Sequence, residues 1–210
     1  KVQEHAVYWM AQALDLPTLH RRFIRLHVNG VTEAQRGVIY EDAQQVNRDY
    51  LESRYGNADA GDLYKIEQWF EFTTSVGVSA LIPPTLERFP ATGGGLNVAR
   101  YRWNWLKRAL NGSANDFRSL LELVEAINAS DNEAYVAQFE TRVDAEQWMR
   151  VFALEHIVGN FDSYGHLIGK NMYAYQPAGG RWQMHMWDID WLMNASARLG
   201  ITPTSPLFQC

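Results

Sequence analysis

The sequence has almost no cysteine, and its single one, Cys210, is the last residue. One thiol excludes an intrachain disulfide, so cysteine usage marks no oxidising compartment. Long apolar runs are also missing, and no stretch approaches the ~20 residues of a membrane span. No signal peptide opens the chain. Basic charge is not in excess. The formal net charge of -5 gives no electrostatic reason to expect nucleic acid. His156, His166 and His185 match no compact ligand spacing, which argues against a transition-metal centre. Gly93-Gly94-Gly95 lacks the Lys-Ser/Thr of a phosphate loop and reads as a flexible linker.

What is present is a folded core. Apolar residues make up 47% of the chain, and eight Trp and ten Tyr supply enough large rings for a core and a cleft wall. The length of 210 residues fits one large domain or two small lobes. The chain starts without methionine, inside a helical pattern, and reads as a fragment.

The hydrophobic spacing predicts a helix over residues 3–15, stopped by Pro17. Phe23 to Val28 alternates as a strand, Asn29-Gly30 signals a turn, and residues 37–41 read as the pairing strand. A helix over 44–55 and a short strand over 61–66 follow. The stretch 73–100, rich in Gly, Pro and Thr, reads as a long loop or insertion. Helices are expected at 101–111, 116–128, 131–140 and 144–158. A late β-hairpin over 171–187 turns at Gly179-Gly180. The order gives an α+β fold: a strand-rich part over 1–72, the 73–100 loop, and a helical part over 101–210. A cleft is expected where the two parts meet.

Chemistry concentrates near the C-terminal end. Asp162 follows a helix in the cluster Asn160 to His166, a common setting for a catalytic group. The hairpin ends in Asp188-Ile189-Asp190. Two carboxylates two residues apart on an extended chain point the same way and repel unless a cation separates them. Magnesium suits such a pair, because it takes one or two carboxylates together with phosphate oxygens. An Asp loop after a helix, an Asn, a hairpin and a further Asp is the layout used for phosphoryl transfer.

These residues carry a resemblance. Asn160 to His166, Asn171 to Tyr175 and Met186 to Asp190 resemble the C-terminal signature of the CotH kinase family. Arg25 to Gly30, Gly37 to Glu41, Tyr50-Leu51 and Gly61 to Lys65 are similar to that family's N-terminal blocks. The resemblance implies an atypical protein-kinase-like fold that binds ATP and Mg2+, with Ca2+ or Mn2+ as alternatives, and phosphorylates protein Ser or Thr. It implies Asp162 as the catalytic Asp, Asp188 and Asn171 as metal ligands with Asp190 in support, and Glu4, Glu41 and Lys65 as nucleotide-side residues. It also implies an extracellular, cell-surface or spore-surface location.

The sequence departs from that pattern twice. The family's first strands, with the phosphate-covering loop, are expected before Lys1. The Asp162-to-Asn171 spacing is wider than in standard kinases. Two other readings stay open from the residues alone. One is a non-catalytic surface or spore-coat module on the same scaffold. The other is a calcium- or carbohydrate-binding domain.

Overall fold

The computed structural model describes residues 2–29, 31–32, 39–56, 61–73, 77–108, 110, 112–166, 168–190 and 192. Gly30, the start of the expected second strand at Gly37, Trp191 and the tail from Asn194 lie outside them.

The fold is α+β, with six helices and antiparallel strand pairings among the described residues. Its centre is a four-stranded sheet in the order β10-β9-β5-β8. These strands are Gln183–Met186 (β10), Met172–Gln176 (β9), Asp62–Ile66 (β5) and Trp105–Arg108 (β8). A strand from the first third of the chain thus lies between strands from the middle and the end.

Alternation sends opposite faces of this sheet to different helices. Tyr175 and His185 lie on one face and meet Tyr50 and Tyr55 of α2 (Arg48–Tyr55). Tyr64 lies on the other, against Phe117 beside α4 (Arg118–Ile127) and against Trp182. Tyr50, Tyr64, Trp105, Tyr175 and Trp182 are all buried in one hydrophobic cluster that runs from Val7 to Leu192.

Helix α1 (Val2–Ala13) packs on α6 (Ala145–Val158). Helix α6 is also stapled to the hairpin. The Gln147 side chain donates to Met184 O at 2.6 Å and accepts from Met184 N at 2.9 Å, copying a strand pairing. Trp148 Nε1 donates to Trp182 O at 2.9 Å. A helix end and a hairpin are thereby fixed to each other, and the chemical residues sit on these two elements.

The late hairpin forms as expected, with Met172 opposite Met186 and Tyr175 opposite Gln183. Elsewhere the structure corrects the sequence reading. The expected Phe23–Val28 strand is two strands: Arg21–Ile24 (β1) pairs with Tyr40–Ala43 (β4), and His27–Val28 (β2) pairs with Val31–Thr32 (β3). The 73–100 stretch is not a plain loop. Trp69–Thr73 (β6) pairs with Gly77–Ile82 (β7), and Val98–Arg102 forms α3. The helix expected over 101–111 stops at Arg102, and Trp105–Arg108 joins β5 as strand β8. Its register places Lys107 beside Tyr64, where Nζ meets Asp62 Oδ1 at 2.6 Å. That pairing partner is distant in sequence, so local spacing could not reveal it. The remaining helix, α5, spans Asn132–Arg142.

Candidate active site

Helix α6 starts on Asp144, which caps Gln147 N, and stops at Gly159. Gly159 adopts φ 70 and donates to the Glu155 and His156 carbonyls. This left-handed C-cap is glycine's usual role. It turns the chain sharply, so Asn160 to Asp162 fold back beneath the helix end.

From there to the hairpin the loop closes on itself. Ile168 N donates to Phe161 O at 3.0 Å, and Lys170 N donates to Asp162 O at 2.8 Å. The wide Asp162-to-Asn171 spacing therefore does not separate the two side chains. Asn171 Nδ2 donates to Asp162 Oδ2 at 2.8 Å.

Hairpin geometry brings in the third group. Met172 opposes Met186, so the residues just outside that pair, Asn171 and the Trp187-Asp188 step, are neighbours at the hairpin's open end. The chain is not extended there, contrary to the sequence expectation. Asp188 has φ 54 and Asn171 has φ 57, two of four non-glycine residues with positive φ among those described. Left-handed backbone costs an ordinary side chain ~1–2 kcal/mol. Such strain concentrates where structure holds residues for a purpose. Ile189 is buried, while Asp188 and Asp190 are exposed on either side of it.

Asp162, Ile168, Lys170, Asn171, Asp188 and Asp190 line one cavity of about 160 Å³. All four residues that the sequence singled out near the C-terminal end are thus brought together. Asp162 is only 3% exposed. Burial raises its proton affinity, Lys170 Nζ at 3.4 Å opposes the shift, and the charges of Asp190 and Asp188 add to it. Asp162 Oδ1 is buried and has no hydrogen-bond partner among the described residues. A buried carboxylate oxygen without a donor is costly, so it suits a proton, a cation or a ligand hydroxyl.

Among the described residues, no three His, Cys, Asp or Glu side chains form a ready-made metal cage. The donor set instead offers carboxylates and one amide around a small cavity. That suits a hard cation that takes few protein ligands and completes its shell with water and phosphate oxygens.

The three nucleotide-side candidates do not line this cavity. Glu4 and Glu41 meet elsewhere, on Arg21. The Arg21 Nη1 atom bonds Glu4 Oε2 and lies 2.8 Å from Glu41 Oε1. His5 Nε2 stands 3.0 Å from the same Glu41 oxygen. The Arg21 guanidinium also lies over the Tyr8 ring, and the Tyr8 hydroxyl reaches Met186 O at 3.4 Å. This cluster is therefore tied to β10 two residues before Asp188. Lys65 pairs with Glu67 instead, on the sheet face of Tyr173.

Sequence reasoning missed three residues. Lys170 was visible only as the neighbour of Asn171. Arg21 carries no signal that sets it apart from Arg22 or Arg25. Glu155 read only as one member of a helical repeat, yet it is 1% exposed and belongs to the site's support. His166 does not line the acidic cavity. Its ring lies tilted against that of His156, the centres 4.4 Å apart, and it borders a larger apolar cavity of about 540 Å³, which shares Ile168 with the acidic one.

No helix among the described residues is long and apolar enough to cross a membrane. No match was found among curated proteins. The model of the CotH kinase protein family matches residues 1–204, and the chain belongs to that family.

Proposed function

We propose that this protein transfers the γ-phosphoryl group of ATP, with Mg2+, to a Ser or Thr hydroxyl of a protein. The observation that carries the reading is the convergence of Asp162, Lys170, Asn171, Asp188 and Asp190 on one small cavity, in a chain of a kinase family.

Asp162 is the general base. It is buried, its proton affinity is raised, and Oδ1 has no hydrogen-bond donor among the described residues, which leaves it able to accept a proton. A base poised closer to neutrality accepts a proton more effectively as the hydroxyl attacks. Asn171 fixes the other oxygen and so aims the carboxylate. Lys170 balances part of the negative charge and can pair with a phosphate oxygen. Asp188 and Asn171, supported by Asp190, are the residues that would hold Mg2+. When bound, that ion neutralises charge that builds up on the phosphates. In this proposal Glu4 and Glu41 act on the nucleotide side through Arg21, whose cluster is tied to β10 just before Asp188. Lys65 is the third residue of that side. The surface of a cell or spore is the location that the family resemblance implies.

The test is transfer of labelled phosphate from ATP to a protein acceptor. Transfer that needs Mg2+ and is lost in Asp162→Ala supports the reading. Transfer that survives unchanged in Asp162→Ala sinks it.

A further inference from the structure

Behind Asp162 lies a second buried carboxyl group. Glu155 sits in the last turn of α6, and its Oε2 accepts from Asn160 Nδ2 at 2.7 Å. Three oxygen atoms of this short segment are buried and lack a hydrogen-bond donor among the described residues: Glu155 Oε1, Asn160 Oδ1 and Asp162 Oδ1. Three orphan acceptors so close in sequence are far more than chance leaves in a folded interior.

One proton accounts for two of them. A carboxylic acid and a carboxamide can face each other in a closed ring. The amide N–H donates to one carboxyl oxygen, and the acid O–H donates to the amide oxygen. The Asn160–Glu155 bond is the first half of such a ring. The two orphans, Glu155 Oε1 and Asn160 Oδ1, are the atoms that its second half joins.

We propose that Glu155 and Asn160 form a closed acid–amide pair, two hydrogen bonds around one proton, which positions the loop that carries Asp162. The proposal rests on the kinase reading only for its catalytic consequence. The pair itself is independent of that reading.

The surroundings favour a neutral acid. From α1 the Tyr8 hydroxyl faces Glu155, and from the loop Asp162 does. The strand against α6 is β10, which contributes the buried apolar Met184 and Met186. Among the described residues no cation acts on Glu155. Burial pushes its proton affinity up to about 8, the Asn160 hydrogen bond opposing the shift and the Asp162 charge adding to it. A charged Glu155 in the final helical turn would also face the negative end of the helix. Glu155 is thus a positioning residue. It touches no reacting atom, and it fixes Asn160, two residues before Asp162.

Glutamine separates this role from simple packing. Glu155→Gln keeps both hydrogen bonds as an amide–amide ring and removes the titration. Glu155→Ala removes both bonds. Three readouts on the full chain test the pair. The infrared carbonyl band of a protonated carboxyl group is expected at neutral pH, and it is lost in Glu155→Gln. Thermal stability of the wild type is expected to fall as pH rises from about 6.5 to 8, where His185 no longer opposes Glu155, and Glu155→Gln abolishes that fall. With a phosphate acceptor, Glu155→Gln keeps kcat within about threefold, while Glu155→Ala loses about 10- to 100-fold in kcat with little change in KM for ATP. A band unchanged by Glu155→Gln, or a Gln variant as damaged as the Ala variant, overturns the proposal. If the wild type transfers no phosphate, the kinase reading fails alone, and the band and the melting profiles still decide the pair.

Discussion

Asn171 holds Asp162 across a closed loop: its amide lies 2.8 Å from Asp162 Oδ2 while its own backbone stands at φ 57. Asparagine serves both needs. Its side chain supplies the donor, and it tolerates left-handed backbone better than most residues. Asn171→Gly keeps the backbone and removes the bond. Its stability is expected to stay within about 1 kcal/mol of wild type, while transfer falls at least about tenfold. Asn171→Ala adds backbone strain and is expected to melt lower than Asn171→Gly. Thermal melting beside a transfer assay reads both effects.

Asp162 is a carboxylate kept where stability disfavours it. Burial and two neighbouring aspartates push its proton affinity up. Asp162→Asn removes the charge at nearly constant shape. The variant is expected to gain about 1 kcal/mol in stability and to lose about 100-fold or more in transfer. A variant that is both less stable and fully active contradicts the role assigned to Asp162.

Asp188 is expected to couple nucleotide binding to the metal. ATP with Mg2+ at about 100 times its dissociation constant stabilises a protein by about 2.7 kcal/mol. The wild type should therefore show a clear rise in melting temperature with both present and a smaller one with ATP alone. Asp188→Asn should lose most of the Mg2+-dependent part. An equal rise with and without Mg2+ removes the metal from the site.

The pH profile of stability follows from two buried groups of opposite sign. Burial, followed by Arg54, lowers His185 from 6.5 to about 3, and the group is tied to both Tyr50 and Tyr55. Tyr55 donates to Gln183 Oε1 at 2.6 Å, so its oxygen is left to accept from His185 Nε2–H. Tyr50 then donates to Nδ1, and the neutral ring is fully used. The unfolded chain binds this proton more readily, so His185 takes stability away as pH falls from about 6.5 to 3. Glu155 is raised from 4.5 to about 8, so it takes stability away as pH rises across that range. Between about 4.5 and 6.5 the two slopes oppose each other. The expected profile is a plateau in that interval with a fall on each side. Glu155→Gln should remove the alkaline fall and leave the acid one. Calorimetric melts from pH 4 to 9 check it.

Parts of this molecule were legible in the sequence for physical reasons. The late hairpin is two short aromatic- and Met-rich runs on either side of paired glycines, so its strands follow from local pattern. Asp162, Asn171, Asp188 and Asp190 stand out because each lies next to an element end that fixes it. What escaped was nonlocal. Strand β8 read as helix because its pairing partner, β5, lies some forty residues earlier. The left-handed Asp188 was invisible because Asp-Ile-Asp after a strand reads as extended. Glu155 looked like any polar position of an amphipathic helix, since only the packing of α1 and the return of the loop bury it. Arg21 matters because Glu4 and Glu41 arrive from two different elements.

The place of β5 has a consequence for how the protein is made. Residues 62–66 pair with residues 172–176, so the central sheet cannot close until the late hairpin has left the ribosome. Helices α4 and α5 pack on each other and need no such wait, and the backbone hydrogen bonds of α6 are local even though its packing partners are not. A nascent chain therefore carries Asp162 on a formed helix end before either hairpin carboxylate exists to join it. The acidic cavity is assembled only after Asp190 has emerged, and a chain arrested before Met172 lacks both hairpin carboxylates.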